Sequence, residues 1–135
     1  MLVGSAARRV AIVGGVRIPF ARSYGSYATQ SNQDMLTAAF RGVVERFKLQ
    51  GERLGDVAAG AVIKHSRDYN LTREAVLSVG LDPQTPGLDM QRACGTSLEA
   101  AEEWDKYFEQ RDGRKRDMGV IERHTSKHQL FRAED

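Results

Sequence analysis

Apolar residues recur along this chain in two rhythms, and the switching between them outlines its elements. Val10-Ala11-Ile12-Val13 is a short continuous run rich in β-branched residues and closed by Gly14-Gly15, the pattern of a strand buried on both faces. Met35, Leu36, Ala39, Phe40, Val43, Val44 and Phe47 then repeat at three- and four-residue intervals, which predicts one broad apolar helical face. Ser31-Asn32-Gln33-Asp34 supplies its start, a capping side chain with an acid in the first turn, and the helix is expected to end near Gly51. Small and β-branched residues within 56–63 predict a second buried strand, Asn70 to Val79 a second helix closed by Gly80, and Leu88 to Gln91 a short third strand. From Leu98 the stripe Leu98, Ala101, Trp104 and Phe108 predicts a third helix.

Strand and helix alternate three times, so the expected class is α/β, with a mainly parallel sheet flanked by helices. A dinucleotide loop at Gly14-Gly15 is disfavoured. That loop must lead directly into a helix, whereas Pro19 pushes Ile18 out of the helical region. Three parallel strands would leave unpaired edges, which predicts that more chain or a partner completes the sheet.

Composition narrows the reading only where it is uneven. The 135 residues suit one domain or part of one, and 41% hydrophobic with 28% charged residues excludes collagen-like, mucin-like and wholly disordered chains. Net charge of +2 decides nothing about partners. However, residues 1–101 carry 12 basic and 9 acidic side chains, while 102–135 carry 8 and 9 among 34 positions. The expected organisation is therefore a folding unit over 1–101 followed by a charged tail over 102–135, partly helical or mobile.

No stretch approaches the roughly 18–20 apolar residues that cross a bilayer, so no membrane span and a cytoplasmic location are expected. The basic cluster Arg111, Arg114, Lys115 and Arg116 is interleaved with Asp112 and Asp117 and accompanies no recognition motif. It reads as solvated surface, with no nucleic-acid partner. His124 and His128 stand four apart near Glu122 but form no His-Glu-x-x-His, so no metal site is expected. His65 reads as a surface residue of a loop.

Cys94 is the one cysteine, which forbids an intramolecular disulfide and any multi-cysteine zinc set. Composition and periodicity alone read it as a small buried core residue. Its place, where a predicted strand yields to a predicted helix, allows another reading, because a helix N-terminus favours the thiolate and so a reactive sulfur. Gly95 would permit close backbone approach there, and Thr96 and Ser97 offer hydroxyls to cap the helix.

The order of residues favours reactivity. The segment from Arg9 to Phe20, the Asn70–Leu81 stretch, and above all Met90-Gln91-Arg92-Ala93-Cys94-Gly95-Thr96-Ser97 resemble the thiolase family. The similarity is to the 3-ketoacyl-CoA thiolase branch found as a partner subunit of fatty-acid-oxidation complexes, for which Thr96-Ser97 is suggestive. Ile18 replaces a usual threonine. The resemblance implies a partial thiolase-like layered fold in which Cys94 is the catalytic nucleophile. It implies thiolytic cleavage of a 3-ketoacyl-CoA, or condensation of acetyl-CoA units, through an acyl-cysteine. Acyl-CoA and coenzyme A would be substrates, with no bound cofactor. A homo-oligomer or a fatty-acid-oxidation complex would be the assembly.

The resemblance covers about residues 8–101, the opening quarter or so of a typical thiolase, and breaks near Glu102, where Glu102-Glu103-Trp104-Asp105-Lys106 is too charged for the family's buried helix. A truncated, spliced, frame-shifted or recombined gene product is expected. The family's Gly-His-Pro and Cys-x-Gly motifs have no counterpart, so none of the three histidines is given a catalytic role and impaired activity is expected. Lys64 and Arg67 are cations that could meet coenzyme A phosphates, but no coenzyme-binding residue is assigned. The competing readings are a non-catalytic remnant or protein-interaction module, and a redox-sensing thiol.

Overall fold

The computed structural model describes residues 11–102, 119–123 and 129–133. Its elements are β1 (Ala11–Ile12), α1 (Asn32–Phe47), β2 (Asp56–Gly60), α2 (Leu71–Ser78), β3 (Leu88–Met90), a 3-10 turn (Ala93–Gly95), a helix α3 described over 96–102, β4 (Gly119–Arg123) and β5 (Gln129–Ala133). The strands form one sheet in the order β1-β5-β4-β2-β3. β2 pairs in parallel with β3 and with β4, while β5 pairs antiparallel with β4 and β1. All strands but β5 therefore point the same way, and the mainly parallel α/β sheet expected from the alternation is present.

The tail contributes two strands to this sheet. Residues 119–123 and 129–133 of the segment read as a charged tail lie between β1 and β2 in the strand order. The rest of that segment beyond Glu102, including Trp104, Phe108, the basic cluster, His124 and His128, lies outside the described residues, as does Val10 of the first predicted strand.

Each helix starts where its sequence supplies a cap. At α1, the Ser31 hydroxyl accepts from the Asp34 N–H at 3.1 Å and the Asp34 carboxylate accepts from the Ser31 N–H at 2.8 Å, a capping box that satisfies otherwise unpaired amides. The Ser31 hydroxyl also donates to the Asp34 carboxylate at 2.6 Å, and this bond, with the one from the Ser31 N–H, holds the Asp34 carboxyl below its ordinary range. The helix ends at Phe47, earlier than Gly51 suggested, because Lys48 turns left-handed (φ 54°) and Leu49 folds back to donate to the Val44 carbonyl. That return buries Leu49. The glycine stop signal at Gly51 serves the following turn instead, where its N–H meets the Gly80 carbonyl.

The β2 strand is buried on both sides, and its alternation sorts the layers. Val57, Ala59 and, just beyond the strand, Ala61 join Leu36, Phe40, Val43, Leu71, Ala75 and Val76 in the main core beneath α1 and α2. Ala58 packs on the other side with Ala100, Met90 and Ala101. The predicted strand was longer, to residue 63. It stops at Gly60 because the next carbonyls are taken by side chains: Val62 by Gln91 and Ile63 by Asn32. Asn32 also donates to buried Asp68, tying the 61–70 loop to the start of α1.

Asp89 fixes β3 to α2. Its carboxylate accepts from the Leu71 N–H at 2.9 Å and the Thr72 N–H at 2.7 Å and pairs with Lys64, so it closes the N-terminal turn of α2 from a neighbouring strand. The Asn70 side chain caps the Arg73 N–H. Burial alone would raise the Asp89 pKa, but the bonds from Lys64, Thr72 and Leu71 outweigh it and hold the carboxyl below its reference of 3.8. A depressed carboxylate stabilises the fold above its unfolded pKa and loses that contribution as pH falls through the folded one. Asp89→Asn should cost about 1–3 kcal/mol at neutral pH. Urea unfolding at stepped pH should show the gap from wild type narrowing in acid, and a gap independent of pH would contradict this account.

Candidate active site

The end of β3 lies directly against the end of β2. Gly60 pairs in register with Met90, and a Cβ added at Gly60 would stand 1.8 Å from the Met90 carbonyl oxygen and 2.7 Å from Thr96 Cγ2. Such distances leave no room for any side chain. Gly60 is thus the bare surface on which strand β3 and the first turn of α3 both rest. The sequence had pointed to Gly95 for close approach, but a Cβ there would meet open space.

Between Met90 and Thr96 the chain makes a tight elbow. Arg92 lies in neither the helical nor the extended region (φ −138°, ψ 51°), and Ala93 takes the left-handed region (φ 43°), which costs a non-glycine residue about 1–2 kcal/mol. The Gly95 N–H closes on the Arg92 carbonyl at 2.9 Å, and the Thr96 N–H bonds the Ala93 carbonyl. The Thr96 hydroxyl accepts from the Arg92 N–H at 3.0 Å and donates to the Ala93 carbonyl at 2.9 Å. It braces the elbow instead of capping α3 from outside, as its position had suggested.

Cys94 sits in the middle of this elbow with its thiol exposed. The buried, merely packing cysteine expected from composition is therefore corrected: a left-handed turn at Ala93 carries the next residue out to the surface. α3 begins at residue 96, and its buried face is Thr96 and Ala100, four apart, while Leu98 is 65% exposed. Leu98 falls off the predicted stripe because the tight contact with Ala58 and Gly60 admits only small groups, while Ala101 keeps its place beside Ala100.

The charges around the elbow are paired. Arg92 forms an ion pair with Glu99 on α3, and Lys64 is held by Asp89. Arg67 is an exposed cation whose Nε lies 3.9 Å from the Asp68 carboxylate. His65 is exposed, as its loop position predicted. Among the described residues, no group of three or more His, Cys, Asp or Glu is placed to hold a metal ion, and no helix is long and apolar enough to cross a membrane. A shallow polar cleft of about 350 Å³ beside α1 and α2, lined by Ser31, Asp34, Arg67, Asp68 and Glu74 among others, contains none of the elbow residues.

A strand, a strained elbow with an exposed thiol, and a helix stacked over a small-residue strand together define an α/β protein with a cysteine-bearing turn between strand and helix. The family described as Thiolase, N-terminal domain, matches residues 10–109, and this chain belongs to the thiolase family. The 3-ketoacyl-CoA thiolase of Photorhabdus laumondii subsp. laumondii is 36% identical over 92 residues, 68% of this chain and 21% of that protein. The 3-ketoacyl-CoA thiolase of Shewanella sp. (strain ANA-3) is 32% identical over 93 residues, 69% of this chain and 21% of that protein. Trifunctional enzyme subunit beta, mitochondrial, of Mus musculus is 32% identical over 93 residues, covering 69% and 20%. The chain spans about a fifth of the length of these relatives. The family match extends past residue 101, and β4 and β5 lie outside it.

Gly60→Ala should destabilise the chain by about 3 kcal/mol, the upper range for overpacking, because the obstructing atom is a backbone carbonyl. Urea unfolding of the variant checks this. Wild-type stability in Gly60→Ala would show that β3 and α3 do not depend on that contact.

Proposed function

We propose that this chain carries the nucleophile of a thiolase-type acyl transfer and that Cys94 is its acyl acceptor. The observation that supports this is the elbow at 92–96, which exposes the Cys94 thiol at the head of a helix within the segment matching the thiolase N-terminal domain. The Cys94 thiolate attacks the 3-keto carbon of a 3-ketoacyl-CoA, and the bond between C2 and C3 breaks with its electron pair leaving on acetyl-CoA as the enolate. A proton donor quenches that carbon. Coenzyme A then attacks the acyl-cysteine thioester, releases the shortened acyl-CoA and returns the sulfur to Cys94. Run in reverse, the same steps condense acetyl-CoA units.

Coenzyme A and its thioesters are substrates in this reading, with no resident cofactor. The proton donor and the oxyanion donors are supplied by groups other than the Gly95 and Thr96 amides, which are already bonded within the turn. The chain acts in the cytoplasm, within a homo-oligomer or as a subunit of a fatty-acid-oxidation complex. Exposed Ile63, Leu88 and Leu98 favour burial against a partner chain. The same exposed groups favour the second reading, a non-catalytic interaction module.

Because the Gly-His-Pro and Cys-x-Gly motifs have no counterpart here, the purified chain should consume acetoacetyl-CoA with impaired activity and only when coenzyme A is present, and Cys94→Ser should lower that rate by roughly 10²-fold or more. Equal consumption by Cys94→Ser would overturn the nucleophile assignment. No consumption by either protein would favour the interaction module.

A further inference from the structure

Thr96 is 1% exposed and both hydrogen-bonding capacities of its hydroxyl are used on the elbow itself. Its two partners, the Arg92 N–H and the Ala93 carbonyl, belong to the residues immediately before Cys94. Ala93 is the left-handed residue that directs Cys94 outward, and nothing about an alanine favours that conformation. The turn therefore persists because its surroundings hold it. The Thr96 hydroxyl is the side-chain group that spans it, and the Thr96 methyl is fixed against the side-chain-free face of Gly60. One side chain thus ties the elbow to itself through oxygen and to β2 through carbon.

We propose that Thr96 is a positioning residue for Cys94, its buried hydroxyl locking the left-handed turn at Ala93 that presents the thiol at the head of α3. The purpose of that positioning rests on Cys94 being the acyl acceptor, while the positioning itself does not. Serine at 96 retains the hydroxyl and loses the methyl. Valine retains the shape and loses both bonds. A hydroxyl that merely fills space would make these two variants behave alike or favour valine.

The test is the second-order rate of Cys94 alkylation by iodoacetamide in the full chain, with urea unfolding on the same samples to establish the folded fraction. Thr96→Val, which removes both hydroxyl bonds, should slow alkylation about tenfold or more, and Thr96→Ser should stay within about twofold of wild type. If Thr96→Val does not fold, Thr96→Ala against Thr96→Ser carries the same comparison at smaller side-chain volume. Alkylation of the valine or alanine variant at the wild-type rate, or a serine variant slowed as much, would overturn the proposal. Mass analysis of wild type after exposure to acetyl-CoA separates the two claims. An unacylated Cys94 in a protein that still shows the serine–valine contrast leaves the positioning role intact and removes the acyl-acceptor role.

Discussion

The absence of a side chain at Gly60 is the constraint on which the rest of this site depends. With the Met90 carbonyl and the Thr96 methyl both inside the space a Cβ would need, β3 and α3 approach β2 more closely than any other residue would permit. The close approach then propagates along α3: Ala100 packs on Ala58 one turn further on, with Ala101 and Met90 beside them. A layer built from alanine, glycine and a threonine methyl gains little from buried area. What it provides is proximity, and proximity lets a five-residue elbow join strand to helix with the thiol on the outside.

The other side of the sheet is built differently. Leu36, Phe40, Val43, Leu54, Leu71 and Val76 are nearly or wholly buried between α1, α2 and β2, and fully burying such side chains contributes about 1.5–3 kcal/mol each. Stability and site are thus divided between the two faces of one strand. Asp89 links them. It stands between Leu88 and Met90 on β3, one residue short of the strand end that abuts Gly60, and its carboxylate closes the first turn of α2. The position of the elbow is in this way referred back to the main core.

Much of this was legible in the sequence where one physical rule dominates. The capping box at Ser31 and the three-and-four spacing from Met35 to Phe47 specify α1 without outside help, while α2 was legible as a segment closed by Gly80 but its first turn also needs the Asp89 carboxylate from β3. Cys94 was legible by position, as the point where strand rhythm yields to helix rhythm. Its exposure was not, since that depends on a left-handed alanine that no propensity marks. Gly95 drew the close-approach reading because it adjoins the cysteine, whereas the crowded glycine, Gly60, lies far off in sequence and becomes adjacent only through strand pairing. Thr96 was legible as a hydroxyl near a helix start but not as a brace, because both its partners depend on the turn. Likewise Leu98 outranks Thr96 by hydrophobicity, yet a tight helix–strand contact selects by size. β4 and β5 are short runs broken by charge within a charge-dense segment, so their pairing partners, not their own patterns, define them.

The central claim is that the elbow over Gly60 makes Cys94 an acyl acceptor. The most direct measurement is intact-mass and peptide analysis of the full chain after brief exposure to acetyl-CoA. The account predicts a single acetyl group, on the peptide containing Cys94, that is removed again by added coenzyme A. A chain that takes up no acetyl group, or carries it on another residue, would contradict it.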